Sequence, residues 1–139
     1  MNSLKNERGG SIFEFVLIAW VLFLIFFGIM EFGLIMYNQA VITNASREGA
    51  RYGIVSRSPR YSEPQIRTYV ENEYSSRPIT FGTRLFVVTP TLPESSSFGE
   101  DLTVEVTWDY DFLLLPNFTG VGVLSNPLTL RATTVMKYE

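Results

Sequence analysis

The chain opens on a short polar stretch, MNSLKNERGG, and then turns apolar. Sixteen residues from Phe15 to Met30, FVLIAWVLFLIFFGIM, carry no charge, with Glu14 before them and Glu31 after them. The apolar block resumes beyond Glu31 as FGLIMY. At about 1.5 Å per residue, a helix over Phe15–Met30 covers roughly 24 Å, and one over Ile12–Tyr37 roughly 39 Å. A bilayer core is about 30 Å thick and takes about 20 apolar residues, so a membrane span here has a glutamate at or inside its boundary. A carboxylate in that place is costly, roughly 2.5–3.5 kcal/mol at a helix centre on insertion scales for Asp. Both glutamates are therefore candidates for a function.

The helical pattern continues past the apolar block. NQAVITNASREGARYGIVS, residues 38–56, contains no proline. Ala45, Gly49 and Gly53 recur every fourth residue, which puts three small side chains on one face and lets another backbone approach closely. One helix is predicted from Ile12 to Val55, broken by Ser58, Pro59 and Arg60. A second is predicted over Glu63–Tyr74, with Ser62 as N-cap, Gln65 completing a capping box and Pro64 in the first turn. Its apolar face is Ile66, Tyr69, Val70 and Tyr74.

The remainder reads as strands. Arg84–Thr89 is a β-branched and aromatic run ended by Pro90. Glu94–Gly99 is a turn. Leu102, Val104, Val106 and Trp108 alternate with polar residues, as on a half-buried strand. Leu128 to Met136 alternates less cleanly, and Phe112–Asn126 between them reads as an apolar loop. The expected fold is α+β: a long N-terminal transmembrane helix running into a small domain with a second helix and a three-stranded antiparallel sheet. The divisions are a transmembrane helix at 10–37, a membrane-proximal extension at 38–57 and an extracytoplasmic domain at 58–139.

Composition narrows the chemistry. The chain has 139 residues, net charge −3, no Cys and no His. That removes disulfides, thiolate nucleophiles, His acid–base catalysis and Cys/His zinc sites, and argues against nucleic acid as a partner. No motif arranges the remaining carboxylates, Ser or Lys for catalysis, so no enzyme activity, cofactor or metal is expected. The acidic residues from Glu94 to Asp111 supply some oxygens for calcium but lack EF-hand spacing, and a solvated loop is the plainer reading. Lys5, Arg8 and the amino terminus outweigh Glu7, which places the N-terminus in the cytoplasm and the domain outside. A removable secretory signal fits poorly, because the apolar run exceeds 7–15 residues and no small-x-small site follows.

The N-terminal part resembles the TadE-like proteins of tight-adherence (Flp) pilus systems. The resemblance rests on Glu14-Phe15, on Ile29-Met30-Glu31-Phe32-Gly33, and on Ala45 with Arg47-Glu48 and Ala50-Arg51-Tyr52. The C-terminal LRATTVMKYE is similar to the family's closing strand. The likeness is dense over residues 7–53 and thin over 54–126. Two departures stand out: Trp20 occupies a common proline position in the span, and Leu34 replaces a basic residue after Glu-Phe-Gly.

The resemblance implies a minor pilin or pseudopilin, a structural component of a type IV-related adhesive pilus. It implies a leader at 1–9, cut between Gly9 and Gly10 by a prepilin peptidase, with anchoring in the inner membrane. Its partners would be other pilin-like subunits and platform proteins of the assembly, as homo- or hetero-oligomers. Glu14 with Phe15 becomes an assembly and register site, where a carboxylate meets a neighbour's new ammonium group; a plain helix-terminal glutamate is the alternative. Ala45, Gly49 and Gly53 are expected to serve helix packing. Glu31, Arg47 and Arg51 are expected as charges at the membrane boundary, with a solvated helix face the simpler account of the arginines. The alternatives to a pilin role are an uncleaved scaffold of a secretion complex and a membrane-anchored binding module.

Overall fold

The computed structural model describes residues 4–82, 85–95, 97–112 and 127–138, with side chains from Gly9 onward. α1 runs without a break from Leu4 to Gly53, 50 residues, or about 75 Å. It passes through Trp20 as continuous helix, as expected of a span without the proline. It starts earlier than Ile12 because the polar residues before it also adopt helix, and it ends at Gly53.

α2, Glu63–Tyr74, has the predicted bounds. The Ser62 amide donates to Gln65 Oε1 at 2.9 Å, satisfying one donor that the helix start leaves open. Three strands follow: β1 Phe86–Thr91, β2 Asp101–Tyr110 and β3 Leu128–Lys137, paired antiparallel in the order β1-β2-β3. Val104 is the central register mark, opposite Pro90 on one side and Thr134 on the other.

β1 extends through Pro90, where the sequence suggested a stop. The reason is its place at the sheet edge. Arg67 of α2 donates to the Val88 carbonyl at 3.0 Å, so residues 88 and 90 turn their backbone groups away from β2. The donor that proline lacks falls on that outer side, where no ladder bond is lost. The expected strand start at Arg84 and most of the expected apolar loop, residues 113–126, lie outside the described residues.

The core forms where one sheet face meets both helices. Every second residue of β2 from Leu102 to Tyr110 is buried, joined by Val88, Leu130 and Ala132 from the flanking strands. Against them lie Ile42, Ala45 and Ala50 of α1, and Ile66 and Val70 of α2. The C-terminal half of α1 is thus the spine of the domain rather than a stalk beneath it. Domain contacts begin at Glu31, with Leu34 and Ile35 packed on the core. Residues 31–37, expected within the span, therefore already carry the domain on one face.

Candidate functional site: a bare apolar helix and its two carboxylates

From Ile12 to Met30 nearly every large apolar side chain of α1 is exposed. These 19 residues cover about 28 Å, close to a bilayer core of about 30 Å. No other part of the described chain leaves such a surface bare. The helix is long and apolar enough to cross a membrane, near the N-terminus, and its apolar window is not buried by the domain.

The two glutamates that bracket it differ sharply. Glu14 is exposed, and nothing among the described residues bonds its carboxylate. Glu31 is 2% exposed and accepts a hydrogen bond from the Tyr110 hydroxyl at 3.0 Å. Tyr110 is itself fully buried and stacked edge-on against Phe112, with ring centroids 5.5 Å apart. Seven residues on, Asn38 is also fully buried. Its Nδ2 donates to the Ile79 carbonyl at 2.6 Å, and its Oδ1 accepts from the Ile79 amide at 2.7 Å. Burying polar groups costs free energy unless they are bonded, so these pairs fix how the domain meets the helix.

Sequence reasoning missed Asn38 and Tyr110, although a signal existed for each. At 100° per residue, Glu31, Asn38, Ile42, Ala45, Gly49 and Gly53 fall within roughly 40° of one meridian. Asn38 and Glu31 are the small-residue stripe extended backwards. Tyr110 is the buried-face alternation of β2 carried one step past Trp108.

The stripe itself is buried against the chain's own domain. A Cβ built on Gly49 would lie 2.7 Å from Val70 Cγ2 and 3.1 Å from Val104 Cγ1. One on Gly53 would lie 2.8 Å from Ile66 Cδ1 and collide with Leu102 Cδ2. Ala45 is fully buried. The close approach is thus between α1 and the α2–sheet layer.

Arg47 and Arg51 are exposed and stand about 24 and 30 Å beyond Glu31 along the helix, level with the domain core. Their neighbour Glu48 accepts a hydrogen bond from Tyr69 at 3.3 Å, not from Arg51. Tyr69 belongs to a ladder: Tyr52 stacks on both Tyr69 and Tyr61 at 4.0 Å, and the Arg57 guanidinium caps Tyr61 at 4.3 Å. The ladder ties α1, α2 and their connection together. Gly9 and Gly10 lie inside the helix, with nothing packed against them.

The acidic residues of β2 do not converge. Asp109 accepts from Thr129 at 2.7 Å, Glu105 pairs with Arg131 at 3.5 Å, and Asp101 pairs with Lys137 at 3.1 Å. The Asp111 carboxylate lies against Gly82.

Burial, and then the neighbouring Glu31 carboxyl, raise the Tyr110 phenol well above its ordinary value. Burial, and then Glu48, raise Tyr69 in the same direction. A phenol whose folded pKa exceeds its unfolded one contributes stability that is complete below about pH 10 and is lost as pH rises beyond it. Tyr61 is lowered by its hydrogen bond with Tyr52 and by Arg57, but it titrates at the surface. From neutral pH the domain should therefore melt at a steady temperature up to about pH 9.5 and at falling temperatures above about pH 10. Tyr110→Phe should cost about 1–3 kcal/mol at neutral pH, because it leaves a buried carboxyl short of a donor. It should also flatten the alkaline fall. Near-UV circular dichroism melts across pH check both; an unchanged alkaline slope would mean another phenol governs it.

One long apolar N-terminal helix, continued as the spine of a small α+β head, is consistent with a single-pass membrane anchor. A family model described as TadE-like protein matches residues 9–51, which is the bare helix and most of the spine. The resemblance carried by Glu14-Phe15, by the motif around Glu31 and by Arg47 to Tyr52 is thus a family match over that segment. The match lies within the N-terminal part of the chain, and the family it names is one of pilus-associated components. No curated protein and no solved structure matches the chain.

Proposed function

We propose that this protein is a minor pilin or pseudopilin of a Tad-type pilus, anchored in the inner membrane with its N-terminus in the cytoplasm. The observation that carries this reading is the contrast between the two carboxylates. Among the described residues the chain supplies a partner for Glu31 and none for Glu14, which is exposed at the other end of a bare apolar helix. A helix so furnished is complete only among other helices, where a neighbour's ammonium group meets Glu14 and the apolar faces meet each other. A prepilin peptidase cutting between Gly9 and Gly10 creates that ammonium group and makes Glu14 the fifth residue of the mature chain. The partners are other pilin-like subunits and the assembly platform in the same membrane. The protein performs no chemistry; it holds a head of fixed orientation on a helix that packs with its neighbours.

Processing is the first test. With the cognate peptidase present, intact-mass measurement of membrane-extracted protein should show a chain that begins at Gly10. A retained Met1 beside active peptidase would replace this reading with that of an uncleaved scaffold.

A further inference from the structure

We infer that the helix-proximal rim of the domain, centred on Phe81 and Leu85, is a membrane-contact surface that seats the head in the headgroup layer. The inference rests on the reading of α1 as a membrane anchor.

The direction of the strands sets the geometry. β2 descends the spine: Leu102 meets Gly53, Thr134 beside Val104 meets Ser46 at 2.8 Å, the Arg131 carbonyl beside Thr107 meets Gln39 at 3.0 Å, and Tyr110 meets Glu31. The end of β2 and the start of β1 therefore lie at the level where the bare helix begins. The segment before β1 is held there too. Asn38 clamps Ile79 from both sides, and the Tyr37 hydroxyl donates to the Arg77 carbonyl at 3.4 Å. The Asp111 amide donates to Thr80 Oγ1 at 3.2 Å, and the Asp109 amide to the Leu85 carbonyl at 3.4 Å.

Among the described residues, what this rim presents is apolar. Phe81 is 56% exposed, Leu85 52% and Ile79 44%. On the helix beside them, Phe32, Met36 and Tyr37 are also exposed. Among the described charges of the rim, Arg77 pairs with Glu73 and lies over the Tyr74 ring at 4.5 Å, and the Asp111 carboxylate lies against Gly82. The opposite end of the domain differs. There Glu100 accepts hydrogen bonds from Ser95 and Ser97, in a polar turn with Phe98 as its exposed apolar side chain.

The occupant follows from continuity. The apolar surface of α1 does not stop at Met30 but continues to Tyr37, about 10 Å farther along the axis. Over that length the domain already flanks the helix. A bilayer that covers Ile12–Met30 brings its headgroup layer to the level of Phe32–Tyr37, and hence to Phe81 and Leu85. That layer favours aromatic and amphipathic side chains, and apolar groups bury roughly 5–10 Å into it. A lipid surface therefore fits the rim, and it spares the protein an apolar patch left in water.

The chain has no cysteine, so single cysteines can be introduced into the full-length protein and labelled with an environment-sensitive nitrobenzoxadiazole dye. The positions are Phe81→Cys and Leu85→Cys in the rim, Thr89→Cys on the outer sheet face and Leu22→Cys in the anchor. The protein is placed in vesicles of phosphatidylethanolamine and phosphatidylglycerol that carry a doxyl quencher at either the fifth or the twelfth acyl carbon. Labels at 81 and 85 should lose emission roughly twofold or more with the shallow quencher and little with the deep one, and the label at 89 should respond to neither. The label at 22 should respond to the deep quencher. If 22 is quenched but 81 and 85 behave like 89, the rim inference falls while the anchor stands. If 22 is not quenched, the anchor reading fails and takes the inference with it. Blue-shifted emission at 81 and 85 without lipid quenching would show a protein partner on the rim and would also overturn it.

Discussion

Gly49→Leu and Gly53→Leu are expected to unfold the domain at temperatures where the native protein is fully folded. Neither glycine has room for a side chain. The first Cβ atom at 49 already presses Val70 and Val104, and at 53 it presses Ile66 and Leu102. All four neighbours belong to the core, and none is the far end of a flexible surface chain that can swing aside. Overpacking a close-packed core costs about 1–3 kcal/mol for modest additions and more for larger ones. Leucine adds four carbons at a point where one does not fit, so a loss above about 3 kcal/mol is expected.

For a domain of about 100 residues, each kcal/mol moves the melting temperature by about 4–8 °C, so the fall should exceed about 12 °C. Alanine should fall between, because it regains about 1 kcal/mol of helix propensity while still meeting its neighbours. The control is Gly33→Leu, at a glycine of the same helix with nothing within 4 Å of an added Cβ. Thermal melts in detergent, followed through the buried Trp108 in a Trp20→Phe background, make the comparison. Equal melting of the 33 and 49 variants would refute the packing described here.

Local patterns made most of this architecture legible in advance. Alternation along β2, the capping residues of α2 and the uncharged run of α1 each depend on neighbours in sequence, and each element appears where its pattern lies. What was hidden depends on pairing across the chain. Whether Ala45, Gly49 and Gly53 face another subunit or the chain's own sheet cannot be read from their spacing, because both partners require the same small residues. Glu31 shows this most clearly. As a sequence feature it is a charge beside an apolar run, and its settlement by Tyr110 joins residues 79 apart. Pro90 misled for a related reason: proline ends a strand only if its missing donor was owed to a neighbouring strand, and that is decided by which edge of the sheet it occupies.

Glu14→Gln is expected to leave the head folded and the helix inserted, and to abolish co-assembly. Glu14 lies some 46 Å along α1 from Ala45, where core packing is dense, so no term of domain stability depends on it. In the uncut chain it stands ten residues inside a helix that begins at Leu4, beyond the first turn in which the helix dipole favours an acid. A capping role could arise only after cleavage at Gly9 and Gly10, and it would be worth about 0.3–1 kcal/mol. Pairing with a neighbour's ammonium group is a different matter. In a bundle of apolar helices, an unpaired charge is strongly unfavourable and a paired one fixes axial register. Removing the charge should thus stop assembly without touching insertion, and Glu14→Lys should be worse, since it sets two cations together. Pili counted on cells at matched membrane abundance, with recovery of the partner complex, measure the effect. Normal piliation with both Gln and Lys would leave Glu14 as an ordinary residue at a helix end and remove the register role from this protein.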